Sequence, residues 1–201
     1  MKKILFLFVL MILGCSEKTE NIRASTTENT IEKVSYKDFL AQIKSKTETQ
    51  KRSYFFRYIN YDIPEYWQGT RWSFGGTTRT PQSGTIACGY FVTNVLSDFG
   101  IKIERIYLAQ QASSVMIKKL CSEIKYFTER EDLEKYILSK PKNTVYIVGL
   151  DFHTGFITRE NRDTYFIHSS YIQNKGVVKE KTESSKALNA SKTYMIGTLK
   201  Y

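Results

Sequence analysis

Between Cys88 and Phe99 the apolar side chains fall at positions 88, 91, 92, 95, 96 and 99, and Gly100 stops the run. This spacing predicts a helix with one long buried face and a glycine just past its end. A shorter segment, Ser35 to Ile43, follows the same rule, with Ser35 as cap and Tyr36, Phe39, Leu40 and Ile43 on one side. Two further helices are predicted over Ser113 to Glu123 and Arg130 to Leu138. The second is capped by Thr128 with Glu131 three residues on, and Pro141 follows it. The aromatic-rich stretch from Tyr54 to Arg79, broken by Pro64 and Gly75-Gly76, reads as a long connection, with Gly84 punctuating the approach to Cys88.

The last third of the chain changes period. Val145 to Leu150, Thr154 to Thr158, Thr164 to Ile167, Val177 to Lys181 and Tyr194 to Leu199 are short β-branched and aromatic runs between polar turns. Helices first and strands second predict an α+β domain over residues 35–201, its N-terminal helices packed on a C-terminal antiparallel sheet of about five or six strands. No internal repeat is visible, and no segment after residue 15 is apolar for long enough to cross a bilayer.

The start of the chain obeys a different logic. Lys2 and Lys3 precede an unbroken apolar run from Ile4 to Leu13, which is short for a membrane span and suited to the core of an export signal. The run ends in Leu13-Gly14-Cys15. This resembles the lipobox of bacterial lipoproteins, which implies residues 1–14 as a removed signal peptide and Cys15 as a lipidated N-terminus. An ordinary cleaved signal with an incidental cysteine is the alternative. Residues 15–34, rich in Ser, Thr, Glu, Asn and Lys, read as a tether with too little apolar surface to pack.

Composition narrows the picture further. Fourteen Tyr and twelve Phe against three Pro exclude a disordered or fibrous chain. A formal charge of +10 favours anionic partners. The basic residues are scattered and not gathered into arginine-rich blocks, and the export signal stands against nucleic acid as a partner.

Candidate chemistry centres on Cys88. It opens the strongest helix, where free backbone N–H groups and the helix dipole favour a thiolate and where its own N–H can serve an oxyanion. The chain has two histidines, His153 and His168, both in the strand region. Pairing the strands through a four-residue loop, Arg159 to Arg162, sets 158 against 163 and His153 opposite His168. His153 is then the base and His168 its orienting residue, with Asp151, two residues earlier on the same strand, as rival orienter. A disulfide between Cys88 and Cys121 is the competing fate for both cysteines. A cysteine and two histidines are also zinc ligands, but a fourth ligand at zinc-site spacing is missing.

These residues also carry a family likeness. Gly69-Thr70-Arg71-Trp72-Ser73-Phe74-Gly75-Gly76, followed by Ile86-Ala87-Cys88-Gly89-Tyr90-Phe91-Val92, resembles the aromatic-x-aromatic-Gly-Gly segment and Asp-Cys-Ser-Gly-aromatic-Val helix start of the NlpC family of cell-wall cysteine peptidases. His153-Thr154-Gly155-Phe156-Ile157 and Tyr165-Phe166-Ile167-His168-Ser169-Ser170 resemble its two catalytic strands. The resemblance implies a papain-like fold cutting amide bonds in peptidoglycan stem peptides. It gives Cys88 as nucleophile, His153 as base, His168 as orienter and Trp72 in place of a tyrosine that helps bind the oxyanion. It implies no metal or organic cofactor, a membrane attachment through the lipid anchor, and a monomer. Ala87 and Gly89 depart from the Asp and Ser that flank the family's cysteine, and a catalytically inactive, lipid-anchored binding module is the alternative reading.

Overall fold

A computed structural model describes residues 34–200; the leader, Cys15 and residues 16–33 lie outside the described part. Helix α1 (Tyr36–Lys44) starts where the Ser35 hydroxyl accepts the Asp38 N–H at 3.2 Å. Helix α2 (Glu48–Arg57) continues through a π-helical turn (Tyr58–Asp62) into α3 (Ile63–Trp67). The predicted connection is therefore helical in its first half. Thr47 and Gln50 form a reciprocal capping box that starts it, and Pro64 falls just after the π turn, where the Asn60 carbonyl accepts from Lys179 Nζ at 2.9 Å. Phe55, Ile59, Ile63 and Trp67 recur every fourth residue and are buried, but buried Asn60 and Asp62 interrupt the apolar stripe.

Two short parallel strands, β1 (Arg71–Trp72) and β2 (Thr85–Ile86), bracket the loop that leads to α4 (Cys88–Phe99). Gly100 ends that helix at φ +103°, a left-handed turn that glycine makes without steric cost. Helices α5 (Arg105–Ala109) and α6 (Ser113–Leu120) follow. The predicted helix over 113–123 stops at Leu120 because Cys121 enters an unforeseen strand, β3 (Cys121–Phe127). Helix α7 (Arg130–Leu138) has the expected bounds without the expected cap. Its N-cap is Glu129, and Glu131 pairs with Arg130 at 2.6 Å rather than reaching back to the chain start.

Strands β4 (Thr144–Leu150), β5 (Thr154–Glu160), β6 (Asp163–Ser170) and β7 (Gly176–Lys181), the short helix α8 (Lys186–Asn189) and strand β8 (Tyr194–Leu199) complete the domain. The result is an α+β fold with one six-stranded antiparallel sheet in the order β3-β8-β4-β5-β6-β7. Helix α4 lies in the larger core, where Phe91, Val92, Val95, Leu96 and Phe99 are buried with Phe156 and Ile167. Phe91 meets Phe156 edge-on at 6.3 Å between ring centres, tying the start of α4 to β5. A second core on Leu133, Ile137, Tyr146, Ile157, Phe166 and Leu188 covers other sheet positions.

One predicted register needs correction. The β5–β6 hairpin closes through two residues, Asn161-Arg162, with Glu160 paired to Asp163 and Thr158 to Tyr165. Asn161 takes φ +54°, a conformation that asparagine tolerates in tight turns, so no four-residue loop is needed. The ladder is shifted by two residues from the predicted one, and a shift of two leaves every side chain on its original face. The competing disulfide is not formed. Both Cys121 and Cys88 are free thiols. Cys121 is buried beside Gly197, and burial pushes its thiol up to about 12, which makes it an inert apolar side chain.

Candidate active site

Cys88 is held by backbone packing on two sides. Ala87 is extended (φ −81°, ψ 157°), donates its N–H to the Gly76 carbonyl at 2.9 Å and accepts from Phe91 N–H at 2.9 Å. A β-carbon on Gly76 would strike the backbone of Ile86, and one on Gly89 would strike the carbonyl of Ala109. Glycine at 89, where the resembling family has serine, is thus required by the close approach of α5. The sulfur lies against the backbone N–H groups of Thr154, Gly89 and Cys88 itself. Burial pushes the thiol up and outweighs the pull of those three dipoles, which favours the protonated thiol.

Cys88 opens onto a cleft of about 1180 Å³. His153 and Thr154 also line it, together with Phe127, Phe152 and Met195. His153 closes the β4–β5 hairpin: Leu150 donates its N–H to the His153 carbonyl at 2.8 Å, leaving Asp151-Phe152 as a two-residue loop. His153 is only 4% exposed. Its ring meets Phe166 and Tyr171 edge-on at 5.9 and 5.2 Å, which limits its rotation.

The two histidines come together. His153 Nε2 lies 2.7 Å from His168 Nδ1, with His168 fully buried and its ring stacked on Phe166 at 3.9 Å. Among the described residues no group hydrogen-bonds the other ring nitrogen of His153, Nδ1. Burial drives the His153 pKa well below the usual imidazole value, helped by the neighbouring His168 and opposed by Glu180. His168 is also lowered by burial, against the hydrogen bond and charge of Glu180. Both rings are therefore neutral near pH 7.

The other predicted site residues fall elsewhere. Asp151 is a solvent-exposed turn residue whose carboxylate accepts the Lys192 N–H at 2.8 Å and the Thr193 hydroxyl. It is an anchor for the turn between α8 and β8, and it is not the partner of His153. The expectation failed because β5 begins at Thr154, so the two-residue alternation does not extend back to 151. Trp72 does not line the Cys88 cleft; its ring packs 6.2 Å from Tyr171, which in turn packs on His153. Through Tyr171 its ring is linked to that of the base.

Glu180 was not foreseen. It stands opposite Phe166 on β7, two residues from Val178, the partner of His168, and so shares the face of both. Its Oε1 lies 3.2 Å from His168 Nε2 and its Oε2 accepts from Lys175 Nζ at 3.4 Å. Burial works to raise this carboxyl, but hydrogen bonds from His168 and Ser185 and the nearby positive charge hold it down at about 2. The alternation of Val178 and Glu180 along a strand next to His168 was the available signal. Among the described residues no three His, Cys, Asp or Glu side chains come together as a metal site.

Comparison with protein families, with curated proteins and with solved structures returned no match to this chain.

Proposed function

We propose that this chain is a papain-like cysteine hydrolase that cuts an amide bond through a thioester. The observation that carries the reading is the hydrogen-bonded His153–His168 pair, with His153 just before β5, His168 on the neighbouring β6, and His153 in the same cleft as Cys88. A substrate carbonyl in the cleft would meet the Cys88 sulfur as His153 Nδ1 takes the thiol proton. The N–H groups that open α4 would bind the oxyanion. Collapse of that intermediate expels the amine, which leaves with the proton from His153, and water then cleaves the thioester by the reverse use of the same base. A neutral thiol and a neutral imidazole that line one cleft make proton transfer part of the attack, as in serine hydrolases, rather than a step completed in the resting enzyme.

The substrate assignment rests on the likeness of the Trp72–Val92, His153–Ile157 and Tyr165–Ser170 segments to the NlpC family. On that basis the target is a peptide bond in peptidoglycan stems, reached by a monomeric lipoprotein anchored to a membrane of the cell envelope through Cys15. The raised Cys88 thiol favours a second reading, a binding module that holds the same polymer without cutting it.

Digestion of purified murein with residues 34–201, read by mass spectrometry, separates the two. The hydrolase reading expects new free amino termini, with none from Cys88→Ala. Murein that is retained by the protein but releases no fragment supports the binding module and overturns the hydrolase.

A further inference from the structure

We infer that Glu180 is a positioning residue that fixes the proton pattern of both histidines and leaves the free lone pair of the base on His153 Nδ1. The chemical role of that lone pair rests on the hydrolase reading; the proton pattern itself does not.

The argument runs outward from the carboxylate. Glu180 takes two cationic or polar donors besides His168, namely Lys175 Nζ on Oε2 and the Ser185 side chain, and a carboxylate so placed stays ionised. An ionised carboxylate only accepts hydrogen bonds, so the 3.2 Å contact requires a proton on His168 Nε2. A neutral imidazole carries one N–H, so His168 Nδ1 must then be an acceptor. The 2.7 Å contact in turn requires a proton on His153 Nε2. His153 is neutral as well, which leaves Nδ1 without a proton. Each step removes one of two choices, and the choice is made at Glu180, two side chains away from the base.

Among the described residues no other donor or acceptor takes part in these contacts. His168 is fully buried, its two ring nitrogens are the ones engaged by His153 and Glu180, and its ring plane is set by the stack on Phe166. Without the carboxylate, His168 has no acceptor for Nε2–H, and the opposite tautomer of both rings becomes accessible. In that state His153 Nδ1 carries the proton and cannot accept another.

Nitrogen-15 spectra of the two histidine rings at pH 7.5 test the inference, because protonated and bare ring nitrogens give well-separated shifts. In the wild-type domain His153 is expected to show bare Nδ1 and protonated Nε2, and His168 bare Nδ1 and protonated Nε2. Glu180→Ala should mix the tautomers of both rings and lower kcat/KM by roughly 10- to 100-fold, the range seen when a buried partner of a functional histidine is removed. Glu180→Gln can accept through its oxygen or donate through its amide, so the relay expects the two rings either to keep the wild-type pattern or to reverse it together. A proton on His153 Nδ1 in the wild type overturns the inference, as does a Glu180→Ala variant that folds and keeps the wild-type pattern. Should Glu180→Ala fail to fold, Glu180→Gln and the wild type still decide, since one ring reversed without the other refutes the relay. The expected ring shifts in a protein that cleaves nothing would uphold the relay while removing the hydrolase reading.

Discussion

His153 Nε2 and His168 Nδ1 are 2.7 Å apart although the two residues are not directly paired in the ladder. The register Phe156–Ile167 places Gly155 across from His168, so the contact runs diagonally along one face of the sheet. The bare backbone of Gly155 lets His168 lean toward the strand end where His153 sits. A diagonal pair of this kind places base and orienter in series, and the two should respond differently to mutation.

His153→Ala removes the group that moves protons and is expected to lower kcat by about 10⁴-fold or more, whereas His168→Ala removes only its support and should cost roughly 10²-fold. His168→Asn or Gln should recover part of the loss, because either amide oxygen accepts the ring N–H. Steady-state kinetics of the three variants checks the order. Equal loss in His153→Ala and His168→Ala would contradict the division of roles, and Asp151→Ala, which touches neither ring, should leave activity within a few-fold of wild type.

The buried thiol makes its own prediction. Burial raises Cys88 and lowers His153, and both shifts favour the neutral thiol and imidazole over an ion pair at neutral pH. Alkylation by iodoacetamide should therefore be slow at pH 7 and climb through the alkaline range, without the plateau below pH 7 that an ion pair produces. The rate measured from pH 5 to 10, with Cys121→Ser as background, gives the test. A plateau already reached at pH 6 would show a preformed thiolate.

Stability should fall on acidification in two stages. Both histidines have folded pKa values below the ordinary imidazole value near 6.5, so the unfolded chain binds their protons first as pH drops. The stability they contribute is complete above about pH 6.5 and is lost progressively below it. Glu180 adds a later loss, because its carboxyl is held at about 2 against the usual 4.5, which places the loss between those values. Urea midpoints of the wild type and of His153→Phe across pH 7.5 to 4.5 read the first stage. The variant should have the flatter slope, and an equal slope would mean that His153 is not held neutral in the fold.

Much of this site was legible because it lies where local rules are strong. Cys88 to Phe99 has an unbroken helical stripe and a glycine stop, and its observed bounds are the predicted ones. The strands at 145–150, 154–158, 164–167, 177–181 and 194–199 shift by no more than a few residues at their ends. The histidine pairing was reached through the wrong register, and it held because the error was an even number of residues. Asp151 was misplaced because a strand's alternation says nothing beyond the turn that ends it. The helical run from α2 through the π turn into α3 was missed where buried Asn60 and Asp62 masked its stripe: Asn60 accepts from Thr158 at 2.7 Å, a tertiary partner that no local pattern contains. Glu180 was missed because only the β6–β7 pairing sets it beside His168.

Gly155 offers the last test, because the same missing side chain serves both fold and site. A β-carbon there would lie 2.6 Å from Phe166 Cε2 and 2.8 Å from His168 Cβ, both closer than real side chains approach. Phe166 is buried and stacked, and a Cβ follows its own backbone, so neither neighbour has room to yield. Gly155→Ala should cost about 1–3 kcal/mol through overpacking. It should also separate His168 from His153, because the strain falls on the strand that carries His168. Activity at 15 °C, where the variant remains folded, is expected to drop by at least 10-fold, the size of loss that about 1.4 kcal/mol of transition-state stabilisation represents. Gly75→Ala is the control: its β-carbon meets nothing within 4 Å, so stability and activity should both stay near wild type. A destabilised Gly155→Ala with full activity per folded molecule would show that the His153–His168 contact tolerates displacement and that the base does not depend on it.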